Sequence, residues 1–275
     1  MEYTNKSVDK DTLDYFNDNK LYQYLNERDQ QKYNLEYTVH ENYHAGIGVW
    51  DDAQILPDIY DLVRMHKLVR SRKVFTILEF GTGYSTLILA DALNKNKKDY
   101  ELLNNKPKIR VYKKFEIHSV DADEKWIEWV KNNIKSFPEI SDLIHLSYSP
   151  IKIGTFNDRM CSYYETIPDI VPDFVYLDAP DTSVCKGDIN NLTFNKCKDR
   201  TVIAGDLLLM ESTFVPGLFI LIDGRRNNAI FLKNNFQRNY NINFDNDNDI
   251  NTFELIDEPL GTLNKNKNLY CLKNE

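Results

Sequence analysis

No run of 18 apolar residues occurs in this 275-residue sequence, so no membrane-spanning helix is expected. Nor does an apolar stretch follow a basic start. The opening MEYTNKSVDKDTLDYFNDNK is polar, so no secretory leader and a cytoplasmic location are expected. Positive charge is in deficit. The formal net charge of −8 argues against a non-specific hold on a polyanion, nucleic acid included. Cysteine is scarce and irregular, at positions 161, 185, 197 and 271. It forms no C-x-x-C pair and lacks the density of a disulfide scaffold, so reduced thiols are expected. No histidine-rich tract offers a metal site, and no internal repeat is visible. The tract NFDNDNDINTF is read as a solvated loop, and it superficially resembles a calcium loop. Counting from Asp245, however, positions six and twelve are Ile250 and Ile256, where Gly and Glu are needed.

What is present suits a soluble globular chain, with 28% charged and 42% hydrophobic residues. The most informative stretch is ILEFGTGYSTLILADAL, Ile77 to Leu93. Val74–Phe80 reads as a buried strand, and from Ser85 the apolar residues fall at helical spacing. Gly81-Thr82-Gly83 between them predicts a tight turn whose backbone N–H groups face outward and whose missing side chains let a ligand approach.

Strand and helix then alternate. Strands are expected at Phe115–Asp121, Leu143–Tyr148, Phe174–Asp178 and Leu218–Asp223, with helices at about Tyr84–Leu93, Glu124–Ile134 and Asn227–Asn234. Asp123 suits an N-cap. Trp126 and Trp129 are read as core residues covering the sheet, and Asn94–Arg110 as a charged insertion. Val202–Met210 leans towards helix, and Thr252–Ile256 and Asn268–Leu272 are expected as closing strands. Ahead of all this, one or two short helices and a helix carrying Ile55, Ile59, Leu62, Val63 and His66 on one face are expected. His118 and His145 fall inside strands and are read as packing residues. This pattern predicts an α/β fold with a parallel sheet covered on both faces and an antiparallel edge.

Ligands collect at the carboxyl ends of such strands, and three of these ends carry an acid: Asp121, Asp178 and Asp223. Asp121 can accept both hydrogen bonds of a ribose diol. A dinucleotide site wants a third glycine where Thr86 stands, and Glu79 would face a pyrophosphate, so a nicotinamide enzyme is disfavoured. The same acids favour a cationic ligand. Neither the Gly-Lys-Ser/Thr of a P-loop nor the G-x-S-x-G of a nucleophile elbow occurs at this turn.

ILEFGTGYSTLILADAL resembles motif I of class I S-adenosylmethionine-dependent methyltransferases. IHSVDADEKWIEWVKNNI resembles their second motif, VPDFVYLDAPD the strand-four motif, and GLFILIDGRRNNAIFLKNN strand five and its helix. The ordered match covers roughly residues 74–235. The resemblance implies a Rossmann-like three-layer sandwich, with a seven-stranded, mostly parallel sheet whose last strand is antiparallel. Residues 1–70 would be an N-terminal helical extension, and 71–275 the S-adenosylmethionine-binding domain, in one compact unit.

By that likeness Glu79, Gly81, Thr82, Gly83 and Ser85 would cradle the methionine part of the cofactor. Asp121 would hold the ribose, with Ala122 and Ser149 (followed by Pro150) beside the adenine. Asp178 would stand next to the methyl group and act on the substrate. Metal-dependent relatives place an Asp-Asn pair after strand five, whereas this chain has Asp223-Gly224. A divalent ion such as Mg²⁺ is therefore not favoured, with Asn227 or Asn228 as candidates for a further ligand. Asp-Ala-Pro-Asp replaces the tetrad of amino-methylating enzymes, which points to a hydroxyl on a small-molecule or sugar-linked acceptor. His40, His44 and the stretch Tyr43–Trp50 are candidates for covering the substrate mouth. The pair Arg225-Arg226 is a candidate for binding an anionic substrate or pairing with Asp178 or Asp223. The alternative is a catalytically silent binding protein that kept the fold, which a pocket blocked by the insertion or by the N-terminal lid would indicate. Nothing in the sequence specifies an oligomeric state.

Overall fold

The computed structural model describes residues 8–26 and 57–272. The expected positions His40, His44, Tyr43–Trp50 and Ile55 lie outside the described residues. Helix α1 (Lys10–Asp18) starts at Asp9, whose carboxylate accepts the Thr12 N–H. A 3₁₀ turn, Leu21–Tyr24, follows. Helix α2 (Ile59–Ser71) is capped by Asp58 and buries Ile59, Leu62, Val63, Met65, His66 and Val69. The expected face is therefore present where it is described. His66 is a core residue: Nε2 lies 2.9 Å from Asp91 Oδ2 and Nδ1 lies 2.8 Å from the Tyr15 hydroxyl. Asp91 also accepts from Tyr24 and pairs with Lys95. A buried carboxylate is tolerated there because every partner is in place.

Seven strands form the main sheet: β1 (Thr76–Phe80), β2 (Glu116–Asp121), β3 (Ile144–Tyr148), β6 (Phe174–Leu177), β8 (Phe219–Asp223), β9 (Tyr240–Asp245) and β10 (Ile250–Leu255). Their order is β3-β2-β1-β6-β8-β10-β9, and β10 alone runs opposite to the other six. A second sheet holds β4 (Ile151–Phe156), β5 (Arg159–Tyr164) and β7 (Cys185–Lys186). Helices α3 (Tyr84–Glu101) and α4 (Glu124–Asn133) pack with α1 and α2 on one face of the main sheet, around Ile77, Ile117 and Phe174. The opposite face, with Leu78, Val175 and Ile220, is covered by α6 (Asp206–Met210) and α7 (Arg226–Asn235). This is the Rossmann-like sandwich with an N-terminal helical extension that the resemblance implied. The short α5 (Pro138–Ser141) leads into β3.

Four expectations are corrected. Helix α3 runs through the first part of the supposed insertion, because Asn96 is buried and its amide donates to the carbonyls of Val69 and Val74. The rest of the insertion lies at the amino ends of the strands, with Leu103 and Ile109 packed against the cluster of Phe75 and Phe115 just ahead of β1 and β2. It therefore does not close the carboxyl ends. The buried stripe of α4 is Ile127 and Val130, while Trp126 and Trp129 are half-buried beside it, Trp129 edge-on to Tyr84 at 4.8 Å. The Asn/Asp tract is a hairpin: β9 precedes it, and Asp245 gathers the N–H groups of Asp247 and Asn248 in the turn to β10. Finally, Asn268–Leu272 belongs to helix α8 (Thr262–Leu272), whose inward positions Asn264, Lys267 and Cys271 have helical spacing but are not all apolar.

Candidate functional site

The glycine turn sits where β1, β2 and β6 end together. Gly81 N–H donates to Val120 O at 2.9 Å, tying the turn to β2. Gly81 has φ +100°, a conformation that side chains rarely adopt, and a Cβ there would come within 3.1 Å of the Ala179 Cβ. Gly81 is thus required by the turn itself. Gly83 differs. Its φ of 168° is extended, and among the described residues no atom lies within 4 Å of the Cβ it lacks. Gly81 and Thr82 are half-buried and Gly83 is buried.

Asp121 is joined directly to this turn. Its Oδ2 accepts the Thr82 N–H at 2.7 Å and the Thr82 hydroxyl at 2.9 Å, and its Oδ1 accepts the Asp123 N–H at 2.9 Å. Burial raises its carboxyl above the usual carboxylate range, and those hydrogen bonds oppose the rise. Oδ1, with one donor, keeps acceptor capacity for another, whereas Oδ2 is already met by both Thr82 donors. Glu79, pointing from β1 beneath helix α3, is completely buried. It accepts from the hydroxyls of Ser85 (2.6 Å), Thr86 (2.7 Å) and Ser119 (2.6 Å). Burial pushes its carboxyl up to about 7 against the pull of these three donors. Thr86 and Ser119 were not anticipated. Ser119 was not identifiable from sequence because only the β1–β2 register, Glu79 opposite Ser119, brings it there.

Ser149, the first residue after β3, is buried. Its N–H donates to Asp121 O at 2.9 Å, and its hydroxyl accepts the Thr166 N–H at 2.9 Å. Ala122 is half-buried and Pro150 exposed. Asp178 follows β6 immediately, with its N–H donating to Phe80 O at 3.1 Å and its side chain 55% exposed. Arg225 donates to Asp178 O (2.6 Å) and Pro180 O (3.0 Å), and its Nε lies 3.7 Å from Asp178 Oδ1. Crowding by protein raises the Asp178 carboxyl; Arg225 opposes the rise, and the Asp223 charge adds to it. Asp223 accepts the Tyr176 hydroxyl at 2.8 Å and is raised chiefly by burial. Asp61, in the first turn of α2, adds an acid that sequence reading missed: burial raises it first, then the charges of Asp223 and Asp58. The strand ends therefore form an acidic rim in which Arg64 pairs with Asp61 and Arg225 stands beside Asp178.

The expected metal substitutes are engaged elsewhere. Asn228 is buried, accepting from Ala204 N–H and donating to Ala204 O, and Asn227 donates to Thr201. The histidine expectation is also corrected. His118 and His145 occupy partnered positions of β2 and β3, stack at 4.6 Å, and both approach the Glu116 carboxylate. They are a polar cluster rather than packing, and their convergence required the strand register.

No known family model matches the chain, and no curated protein sequence matches it. Solved structures similar to it include the SAH-bound methyltransferase PaMTH1 of Podospora anserina, 12% identical, covering 92% of this chain and 91% of that one, with TM-score 0.45. A methyltransferase from Geobacter sulfurreducens is 12% identical over 72% of this chain and 81% of its own, with TM-score 0.41. The SAH-bound O-methyltransferase of Bacillus cereus is 13% identical over 91% and 92%, with TM-score 0.36. Likeness of this degree carries no inference about ligand or reaction. The fold assignment stands on the strand order itself, and among the described residues no helix is long and apolar enough to cross a membrane.

Proposed function

We propose that this chain transfers a methyl group from S-adenosylmethionine to a hydroxyl of a small-molecule or sugar-linked acceptor. The observation supporting it most is the Asp121 carboxylate clamped to Thr82, beside a glycine turn with space over Gly83. The donor set fits the cofactor in charge as well. A sulfonium and an ammonium are both cationic, and Asp121, Asp178 and Asp223 carry acids to the strand ends.

S-adenosylmethionine, when bound, supplies a methyl group on a positively charged sulfur. In this reading the Asp121 carboxylate accepts from the ribose hydroxyls, while Ala122 and Ser149 flank the adenine. Glu79 braces Ser85 and Thr86, so that the turn Gly81-Thr82-Gly83 holds the methionine end. Asp178 accepts the proton of the acceptor hydroxyl, and Arg225 fixes its backbone and biases its charge. Positioning of this kind supplies much of the barrier reduction in a displacement reaction. Among the described residues Asp178 and Asp223 are not joined by a third His, Cys, Asp or Glu donor, and we assign them no metal.

Isothermal titration with S-adenosylmethionine tests the reading; no saturable binding at high micromolar concentration would overturn it. In Asp121→Ala, affinity should fall by about 1.5–3 kcal/mol, the worth of hydrogen bonds to a charged acceptor. Equal affinity in a folded variant removes Asp121 from the ribose role. Gly83→Ala separates binding from folding. Its extended backbone accepts a side chain, so its melting temperature should hold while cofactor affinity drops about tenfold, or about 1.4 kcal/mol. Gly81→Ala should instead lower the melting temperature, because of its positive φ.

A further inference from the structure

We propose a second site, independent of methyl transfer: Glu116, His118 and His145 form a binding site for one divalent transition-metal ion, Zn²⁺ being the expected occupant. Parallel pairing of β2 and β3 sets His118 directly beside His145, and the two-residue spacing puts Glu116 on the same sheet face. The imidazole planes are 17° apart with centroids at 4.6 Å, so the rings run alongside one another. Glu116 Oε2 lies 2.8 Å from His118 Nε2 and 3.5 Å from His145 Nε2. One potential ligand atom from each residue lies within 4.8 Å of the other two.

Ligand bonds of about 2.0–2.2 Å in a tetrahedral zinc site set donor atoms roughly 3.3–3.5 Å apart. The two Glu116 contacts, at 2.8 and 3.5 Å, lie close to that spacing and the third pair is within 4.8 Å, so side-chain rotation can close the site without moving the strands. Two imidazoles and a carboxylate are a donor set that borderline cations prefer, and three protein ligands leave the fourth position to water. Room for it exists. His118 and His145 line an open hollow of about 180 Å³ with Leu146, Ser147, Thr166, Ile167 and Pro168. The hollow exists because the connection from β3 to β6 is the β4–β5 hairpin rather than a covering helix, leaving the His145 side chain 48% exposed. The charged neighbour is Lys113, whose Nζ is 3.7 Å from Glu116 Oε2 and whose exposed side chain can swing into water. A bound ion would cross-link the edge strand β3 to β2 on the sheet face away from Glu79.

The test is Zn²⁺ titration of the chelator-treated full chain against a chromophoric competitor, with thermal melting in parallel. The expected result is one ion per chain and a melting temperature raised by stoichiometric Zn²⁺. His145→Ala and Glu116→Gln should each weaken binding by more than the about 10–100-fold that loss of an outer partner causes. His145 is exposed, so its variant is expected to fold, and an unshifted melting curve without metal checks this. The proposal fails if wild type binds no Zn²⁺ at 100-micromolar levels. It fails equally if His145→Ala binds as wild type does, or if binding disappears instead in a His40→Ala, His44→Ala variant.

Discussion

Lys267→Ala is expected to destabilise the protein by about 3–5 kcal/mol, the cost of leaving a buried charge without its partner. Lys267 projects from α8 and pairs with Asp173, both side chains being less than a tenth exposed. Asp173 is already a junction at the amino edge of the sheet. Its other carboxylate oxygen accepts the Phe75 N–H at 3.0 Å, its own N–H donates to Thr76 O, and its carbonyl accepts from Phe219 N–H. One residue thus ties together the starts of β1, β6 and β8, and Lys267 neutralises it while docking α8. Urea unfolding of wild type, Lys267→Ala, Asp173→Asn and the double variant would measure both the loss and the coupling, expected at about 0.5–3 kcal/mol for residues in contact. A loss below about 1 kcal/mol in Lys267→Ala would show that the pair is dispensable.

Asp178→Asn is expected to lower kcat by about 10²–10⁴-fold, the usual worth of a positioned general base, with cofactor affinity nearly unchanged. The measurement is methyl transfer from labelled S-adenosylmethionine to a panel of phenolic and sugar hydroxyls. The pH profile gives a sharper reading. A base must be ionised to accept a proton, and crowding and then the Asp223 charge raise the Asp178 carboxyl above its ordinary value. Activity should therefore rise with pH through that raised value, at a pH higher than an unperturbed aspartate would give. Arg225 favours the ionised form, so Arg225→Ala should move the acid limb to still higher pH. Asp178→Asn should abolish that limb. Turnover within about threefold of wild type, with the limb intact, would assign the proton to another group.

The turn at Gly81–Gly83 and the acids at Asp121, Asp178 and Asp223 were legible because local rules govern them. Strand periodicity, helix periodicity and glycine are written in consecutive residues. One local signal was missed. Phe156-Asn157-Asp158-Arg159 is a two-residue hairpin with positive φ at both central residues, the pattern that Asn and Asp favour, and it builds the β4–β5 pair.

Other features had no local signal. Asn96 prolongs α3 by bonding carbonyls more than 20 residues away, so its polarity read as a break. In α8 the docked positions include an asparagine and a lysine, so an apolar count points away from helix.

The sequence by itself determined the alternation of strand and helix, the glycine turn and the placing of acids at strand ends, since each depends on residues close along the chain. Only the tertiary structure decided the partners: Ser119 under Glu79, Arg225 beside Asp178, Lys267 on Asp173, and two histidines on one glutamate. The physical reason is that a lateral contact is fixed by register and burial, and whether a polar residue is a solvated loop or a buried anchor depends on which distant group satisfies it.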